Sequence, residues 1–518
     1  MQAGPLHNRF AYIPPACYAR TRDAAGRVFN PCFVCHVNAP APNFVQDAEL
    51  QSWLLFPRAA AENPWKNLLA PAVQRVARTS DAELLAYVRT SNYFDTTGEI
   101  TLRKQLQELP PEWDGDGDSH WGGFVPDAYF RFDEAGFDLR PDGGRSGWRA
   151  FAYYPLPGAF FPSQGSAGDV LIRLDPALRS GSSEARDDEL ITRVNLAIVE
   201  ALVTQRDVPL DPVDERALGV DLDLDGKLAR ARRIVFQRDE AGATRMHYVG
   251  RARELEATGR FPIAPGLFPL NTEFLHTLRY LDVEAARVRM AQRMKEVRYA
   301  KKVRWFSADD LLAHAAAEPF EQRESAQGAR LVLWQFDRGV YNGQGWLLQG
   351  FIEDASGALR PQTYEETVSC AGCHGGVGAT QDSIFSFGRK RGYFYPRLED
   401  WRGRPEPKRR DGTYEYTRYL QENRAGDDFH ADTELSARFF DPRGQLRRDQ
   451  LRALHGDVAR LLLPSPARAL ALDHAYLAIV KEQSFVHGRD AWLAETRQVH
   501  EHVPVGEATG VKNPVPFD

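Results

Sequence analysis

Apolar and polar positions follow two different periods along the chain, which predicts separate helical and β-rich regions. Apolar residues recur at helical spacing over Asp81–Val88 and Leu190–Val203. Short stretches of β-forming residues, bounded by Gly, Pro and Ser, lie at Trp148–Tyr154 and Asp169–Leu174. These patterns predict a fold of the α+β class, with mainly helical regions at both ends and a β-containing segment in the middle.

The same periods divide the chain into three predicted domains, 1–125, 126–260 and 261–518. The first is predicted to be largely helical, including Leu50–Phe56, and the second contains further strands at Arg232–Gln237 and Arg245–Val249. In the third, the pattern predicts two strands around 330–336 and 345–353. It also predicts helices in that domain over Asn271–Leu281, Val283–Val303, Ser307–Ala316, Arg447–Leu463 and Ala467–Gln483, followed by an extended tail, Val499–Asp518.

The overall composition is that of an ordinary folded protein. Its 518 residues are 43% hydrophobic and 26% charged, and the formal net charge is −6. This mild negative charge argues against nucleic acid as the main partner. No run of 18 apolar residues is present, so we expect no membrane span.

Two short motifs indicate the chemistry. Cys32-Phe33-Val34-Cys35-His36 and Cys370-Ala371-Gly372-Cys373-His374 are both Cys-x-x-Cys-His runs, which are typical of covalent c-type haem attachment. The motifs predict two haem c groups, with His36 and His374 as proximal ligands of the iron atoms. The alternatives are a redox dithiol or half of a zinc site.

The ligand on the other side of each iron is an open question. The candidates are a histidine or methionine in an apolar setting: His276, Met294, His487 and His247. Each of them is also compatible with ordinary core packing. The fifth cysteine, Cys17, lies outside both motifs, and its simplest interpretation is a buried, unreactive thiol.

Two runs of alternating aspartates are candidates for calcium binding, because carboxylate oxygens at alternate positions of a glycine-containing turn converge on a hard cation. One run contains Asp221, Asp223 and Asp225, and the other contains Asp114, Asp116 and Asp118. Arg232 stands where an EF-hand would place its last glutamate, so the complete EF-hand pattern fails. The alternative for each run is an acidic, solvated turn.

Covalent haem also predicts where the protein is found, since this group is installed outside the bacterial cytoplasm. We therefore expect a periplasmic, cell-surface or extracellular protein. Met1–Pro15 lacks a charged region followed by an apolar core, so the export signal is expected to lie outside this numbering.

On these motifs, with Asn30-Pro31 before the first and Gly147-Trp148-Arg149 in the middle segment, the chain resembles large dihaem c-type cytochromes of bacteria. The resemblance implies electron transfer to a redox partner protein, an acidic one if the basic stretch Arg287–Arg304 docks it. The second hypothesis is a dihaem oxidoreductase of the peroxidase or oxygenase kind, with one open catalytic haem. A third is a structural or assembly protein supported by calcium. The oligomeric state and the catalytic residues are left open.

Overall fold

The fold is taken from a computed structural model of the chain. It describes the following residues: 5–23, 25–36, 42, 56–70, 79–159, 161–182, 187–240, 243–314, 333–335, 337–375, 380–394, 397–409, 411–424, 430–494 and 498–510. The predictions for 50–55, 315–316, 330–332, 336 and 511–518 lie outside these residues.

One large antiparallel sheet organises the described part of the chain, and the mixed helix-and-sheet class is therefore confirmed. Eight of its strands follow one another in space in the order Leu333–Gln335, Gly339–Tyr341, Trp346–Glu353, Arg287–Lys302, Glu273–Glu284, Val170–Arg173, Arg145–Tyr153 and Lys390–Gly392. Two more strands pair beside this path, Leu359–Pro361 with Trp346–Glu353 and Phe137–Leu139 with Arg145–Tyr153.

The centre of the sheet is a long hairpin, Glu273–Glu284 and Arg287–Lys302. The helices predicted over Asn271–Leu281 and Val283–Val303 are therefore wrong. Ala285 and Ala286 turn the chain with positive φ angles of 48° and 60°, as a two-residue hairpin turn requires. Both faces of the central strands are covered, so the polar–apolar alternation that marks a strand is lost in this sequence.

Most of the other predicted elements are present. Strands cover Arg145–Tyr153, Val170–Arg173 and Trp346–Glu353 as predicted, whereas Arg245–Val249 is not a strand. Two small sheets pair Thr21–Arg22 with Val28–Phe29, and Val208–Asp214 with Arg230–Ile234. The α-helices with both ends in the described residues are Asp81–Arg89, Thr101–Gln107, Pro176–Arg179, Glu189–Thr204, Glu215–Leu218, Arg251–Ala257, Tyr364–Cys373, Ser386–Arg389, Glu415–Asn423, Thr433–Phe439, Arg448–Gly456, Ala459–Leu462 and Pro466–Glu482. Residues 308–314, within the predicted helix Ser307–Ala316, are helical as well.

The beginning of the chain packs against much later segments. The Asn8 amide donates to Glu365 Oε1 at 3.1 Å, and the Arg20 amide donates to the Gln498 carbonyl at 2.8 Å. The strands of the large sheet also come from both sides of residue 260. The division into three domains stays a prediction.

In the described part of the chain, every helix is too short or too polar to span a bilayer. The prediction of no membrane span agrees with this finding.

Candidate functional site

The two Cys-x-x-Cys-His motifs, which are far apart in the sequence, line the same cavity. Its volume is about 440 Å³, and its wall is mostly apolar. All four cysteines of the motifs face it, together with both motif histidines: Cys32, Cys35, His36, Cys370, Cys373 and His374. The fold thus brings the six predicted attachment residues to one place.

The second motif ends a well-capped helix, Tyr364–Cys373. Thr363 and Glu366 form a capping box at its start, which fixes the first turn. Cys370 and Cys373 are three positions apart, so they lie on the same face of the last turn. The intervening Gly372 lies so close to the N-terminal segment that a Cβ atom there would be 2.1 Å from the Tyr12 carbonyl oxygen. Any larger residue would therefore separate the two segments.

The first motif forms a short 3-10 turn, Cys32–Val34. The His36 amide donates to the Cys32 carbonyl at 2.9 Å, which closes the turn and brings the two cysteines and the histidine together. The Cys32 thiol donates to Asn30 Oδ1 at 3.1 Å. Both motifs therefore present their thiols from a tight turn of backbone.

His374 is held in an orientation suited to metal binding. Its Nδ1 lies 2.8 Å from the Ser383 carbonyl oxygen. Because a carbonyl can only accept, Nδ1 carries the proton and Nε2 keeps the lone pair that binds a metal. Burial lowers the pKa of His374 to about 4, and burial also lowers the pKa of His36 to about 4. Both imidazoles are therefore neutral at pH 7, which is the ligating form.

One of the four predicted second ligands lines the cavity. His276, on the strand Glu273–Glu284, faces it, and its Nε2 is 3.4 Å from the Tyr153 hydroxyl. Burial, with smaller contributions from the nearby Arg298 and His374, lowers its pKa to about 3. His276 and His374 are therefore close enough to influence each other's charge.

The other three candidates lie elsewhere. Met294 is fully buried in a hydrophobic cluster with Val297 and Phe351, so it serves the core. His247 pairs with Glu256 at 2.5 Å and is exposed to solvent. His487 ends a short turn and packs edge-on against His7 at 6.0 Å. The cavity wall described by the structure includes none of these three side chains.

The electrostatic setting of the thiols argues against the redox-dithiol alternative, which requires a lowered thiol pKa. Burial raises the pKa of Cys35 to about 11 and that of Cys373 to about 12. Cys17 lines the same cavity, and burial raises its pKa, with further increases from Cys32 and Cys373. Among the described residues, no cysteine belongs to a group of metal ligands within 4.8 Å of one another, so no zinc site is preformed.

A charged wall, which the sequence did not reveal, adjoins the motifs. Glu296 is buried and accepts from Arg298 Nε at 2.8 Å and from Arg489 Nη1 at 3.0 Å. All three line the cavity, as does Arg389, which is paired with Glu415 at 2.6 Å. The sequence marked Arg298 only as part of a basic stretch and did not indicate Glu296, because strand pairing rather than motif spacing places both residues at the cavity.

The two predicted calcium loops differ in structure. Asp114, Asp116 and Asp118 offer oxygens within 4.8 Å of one another. In the other loop, Asp221 and Asp223 converge with Glu215, which the sequence did not indicate, while Asp225 is outside the group. Burial raises the pKa of Asp223, and the neighbouring Glu215 raises it further, as expected where carboxylates crowd together.

Comparisons with known proteins place the chain in a family. A family model described as "-like lipoprotein" matches residues 2–393, more than half of the chain. The sequence is also 28% identical to a protein named "Uncharacterized lipoprotein" from Aquifex aeolicus (strain VF5), over 98% of this chain and 91% of the relative. No solved structure matches the chain.

These matches contradict the resemblance to dihaem c-type cytochromes. The resemblance rested on two five-residue motifs and a few short stretches, whereas the family match extends over most of the chain. The electron-transfer function is therefore wrong, and so is the alternative of a peroxidase or oxygenase. The chain belongs to the family of "-like lipoprotein" proteins.

Proposed function

We propose that this protein of the cell envelope, located outside the cytoplasm, holds haem covalently in its central cavity through the two Cys-x-x-Cys-His motifs. The observation that carries the proposal is the convergence of the two motifs on one cavity. The motifs begin at Cys32 and Cys370, far apart in the sequence, so two unrelated surface motifs would not be expected to line the same cavity. The mostly apolar wall also suits a large, flat and hydrophobic group.

Each motif supplies the atoms that covalent attachment needs. A cysteine S–H adds across a vinyl group of the porphyrin, so that a carbon–sulfur bond forms and the proton goes to the neighbouring carbon. No oxidant is consumed in this addition. The paired cysteines of each motif match the two vinyl groups of one haem, and the proposal is therefore two haem c groups.

The histidines supply the axial ligands. His374 is the best-supported proximal ligand, because its Nδ1 proton is already engaged by Ser383. His36 has the equivalent position in the first motif. His276 is proposed as a second axial ligand, since it lines the cavity beside His374 and is neutral at pH 7.

Family membership supports the proposed location. Lipoproteins are held at the cell envelope by attached lipid, and this chain belongs to a lipoprotein-like family. The periplasm and the cell surface are both compatible with this proposal.

The test is the haem content of the full chain expressed in a host that attaches haem to Cys-x-x-Cys-His motifs. We expect two haems per chain by intact mass and by the pyridine haemochrome spectrum. C32A/C35A and C370A/C373A should each lose one haem, which is about half of the absorbance. C17A is the matched control and should keep both. A chain that carries no haem under these conditions contradicts the proposal.

The same spectra test the role of His276. H276A should convert one haem from a six-coordinate low-spin to a high-spin spectrum while both haems stay attached. H247A replaces an exposed histidine outside the cavity, so it should leave the spectrum unchanged. An unchanged spectrum in H276A removes this residue from the ligand set.

We further propose that calcium binds at Glu215, Asp221 and Asp223, where it would stabilise the turn rather than take part in chemistry. The support is the convergence of three carboxylates from separate positions. Asp114, Asp116 and Asp118 form a second, more exposed candidate site.

A further inference from the structure

Three consecutive cations, Arg389, Lys390 and Arg391, lie at the edge of the large sheet, and they differ in their partners. Arg389 forms two hydrogen bonds to the Glu415 carboxylate, at 2.6 and 2.8 Å. Lys390 forms an ion pair with Glu200. Within the described residues, Arg391 has no carboxylate partner. Arg391 is thus a half-buried cation that forms no ion pair with the described residues, beside two cations that do.

The surroundings of Arg391 hold its guanidinium in place. Its Cζ atom lies 4.4 Å from the centre of the Trp401 ring and 4.7 Å from that of Phe394. Its Nε and Nη2 atoms are buried and lack a hydrogen-bond acceptor, while Nη1 makes one long bond of 3.4 Å to the Asp400 carbonyl. A buried donor without an acceptor is unfavourable, so a partner for these two N–H groups is expected.

A second guanidinium lies beside this one. Arg404 is exposed, donates to the Asp400 carbonyl at 3.2 Å, and has no ion pair in the described structure. Burial lowers the pKa of Arg391, and the positive charge of Arg404 lowers it further. The two like charges repel, the smaller effect of the nearby Asp400 carboxylate offsets this only in part, and a bound anion would remove more of the repulsion.

The pair is linked to the cavity through aromatic side chains. Tyr154 lines the cavity, and its ring centre is 5.5 Å from that of Trp401. The Tyr154 side chain therefore connects the cavity to the aromatic residues that hold Arg391.

We propose that Arg391 and Arg404 form an oxyanion site that binds a carboxylate or phosphate group. Stacking uses the faces of the Arg391 guanidinium, and the N–H groups at its edge remain for a forked pair of hydrogen bonds to two oxygens. The anion has two possible sources: a carboxylate of haem in the cavity, or a separate phosphate-bearing ligand. The first source rests on the proposed function, whereas the second does not.

The experiment compares thermal midpoints of the full chain in inorganic phosphate and in chloride at equal pH and ionic strength. A ligand at ten times its dissociation constant should raise the midpoint of a chain of this size by about 1 °C. R391M should abolish the rise. R391K keeps the positive charge but lacks the paired N–H donors of the guanidinium, so it should at least halve the rise. R402M replaces an exposed arginine two residues before Arg404 and should keep the whole rise.

Two forms of the protein distinguish the sources. A rise in both the haem-loaded chain and a haem-free variant with all four motif cysteines changed to alanine assigns the site to a separate phosphate ligand. A rise in the haem-free form alone assigns it to a haem carboxylate. The loaded protein supplies a second measurement for this source: R391M should raise the pH midpoint of the haem absorbance change, and R402M should not.

The proposal is overturned when phosphate raises the midpoint in neither form and R391M leaves the pH midpoint of the haem absorbance unchanged. It is also overturned when R391M or R391K keeps the whole rise. A purified chain without haem rejects the proposed function, but leaves the phosphate measurement as an independent test.

Discussion

Glu296 is the residue whose replacement should reveal most about the cavity wall. Its carboxylate is 1% exposed and binds Arg298 at 2.8 Å and Arg489 at 3.0 Å. Gln362 Nε2 also donates to it at 3.0 Å. E296Q keeps the size of the side chain and removes the negative charge. It thereby leaves two largely buried guanidinium groups without their counterion.

The size of the effect follows from the pKa of Glu296. Burial by itself would raise this pKa, but the charges of Arg298 and Arg489 lower it from 4.5 to about 2. At about 1.4 kcal/mol per pH unit, a shift of this size corresponds to about 3 kcal/mol of stability at pH 7. Breaking a buried ion pair typically costs about 3–5 kcal/mol, which agrees.

The assay is the thermal midpoint of unfolding. The unfolding entropy of a chain of this length is about 1.1 kcal/mol per kelvin, so E296Q should lower the midpoint by about 3 °C. E284Q is the matched control from the same hairpin, because the Arg289–Glu284 pair has side chains that are 44% and 55% exposed. Such an exposed pair contributes about 1 kcal/mol or less, so E284Q should lower the midpoint by less than about 1 °C.

The pH dependence supplies the refutation. A carboxyl group with a lowered pKa stabilises the fold above its unfolded pKa, and this contribution is lost as the pH falls through the folded pKa. The difference between wild type and E296Q should therefore be full at pH 7 and shrink between pH 4.5 and about 2. If E296Q and E284Q have the same thermal midpoint at pH 7, the buried ion pair does not stabilise the cavity wall.

Two further predictions concern backbone packing and calcium. G372A should lower the yield of folded protein and its thermal midpoint, because the added Cβ would be 2.1 Å from the Tyr12 carbonyl oxygen. The control G456A should fold normally, because nothing lies within 4 Å of the Cβ position there. Equal midpoints for the two variants would contradict the close packing at Gly372. When calcium at millimolar concentration is added to wild-type protein from which a chelator has removed bound metal, the thermal midpoint should rise. E215Q should reduce that rise more than D225N does, because Asp225 lies outside the carboxylate group. Equal responses of the two variants would exclude the site at Glu215.

The grouping of the residues within each motif can be predicted from the sequence, because five-residue motifs are local, whereas their role in haem attachment stays a prediction. Cys370 and Cys373 need only the last turn of one helix to share a face, and Cys32 to His36 need only one tight turn. The convergence of the two motifs on one cavity could not be predicted from the sequence, because it depends on tertiary packing such as that of Gly372 against Tyr12. His276 was a candidate because it is a histidine among apolar residues, and this criterion does not depend on whether the segment is a helix or a strand.

Elements that depend on distant partners were predicted poorly. The apolar residues of Arg287–Lys302 fit helical spacing, yet pairing with Glu273–Glu284 and Trp346–Glu353 makes this segment a strand. The sequence did not indicate that Glu215 joins the carboxylates of Asp221 and Asp223, because the start of a separate helix brings it there. The resemblance to dihaem cytochromes is wrong for a related reason: it rests on two five-residue motifs, whereas the family match extends over residues 2–393.

The central hairpin links these observations, because it belongs to both the sheet and the cavity. Its first strand carries His276, and its second carries Glu296 and Arg298, all of which line the cavity. The register pairs His276 directly with Arg298, so these two residues are cross-strand neighbours. A slip of one residue would turn every cavity-lining side chain of a strand to the opposite face. The ion pairs of Glu296 hold Arg298 and Arg489 at the wall, and Arg489 comes from the C-terminal part of the chain. A change at Glu296 should therefore disturb both the stability of the sheet and the position of His276, whereas a change at the exposed Glu284 should disturb neither.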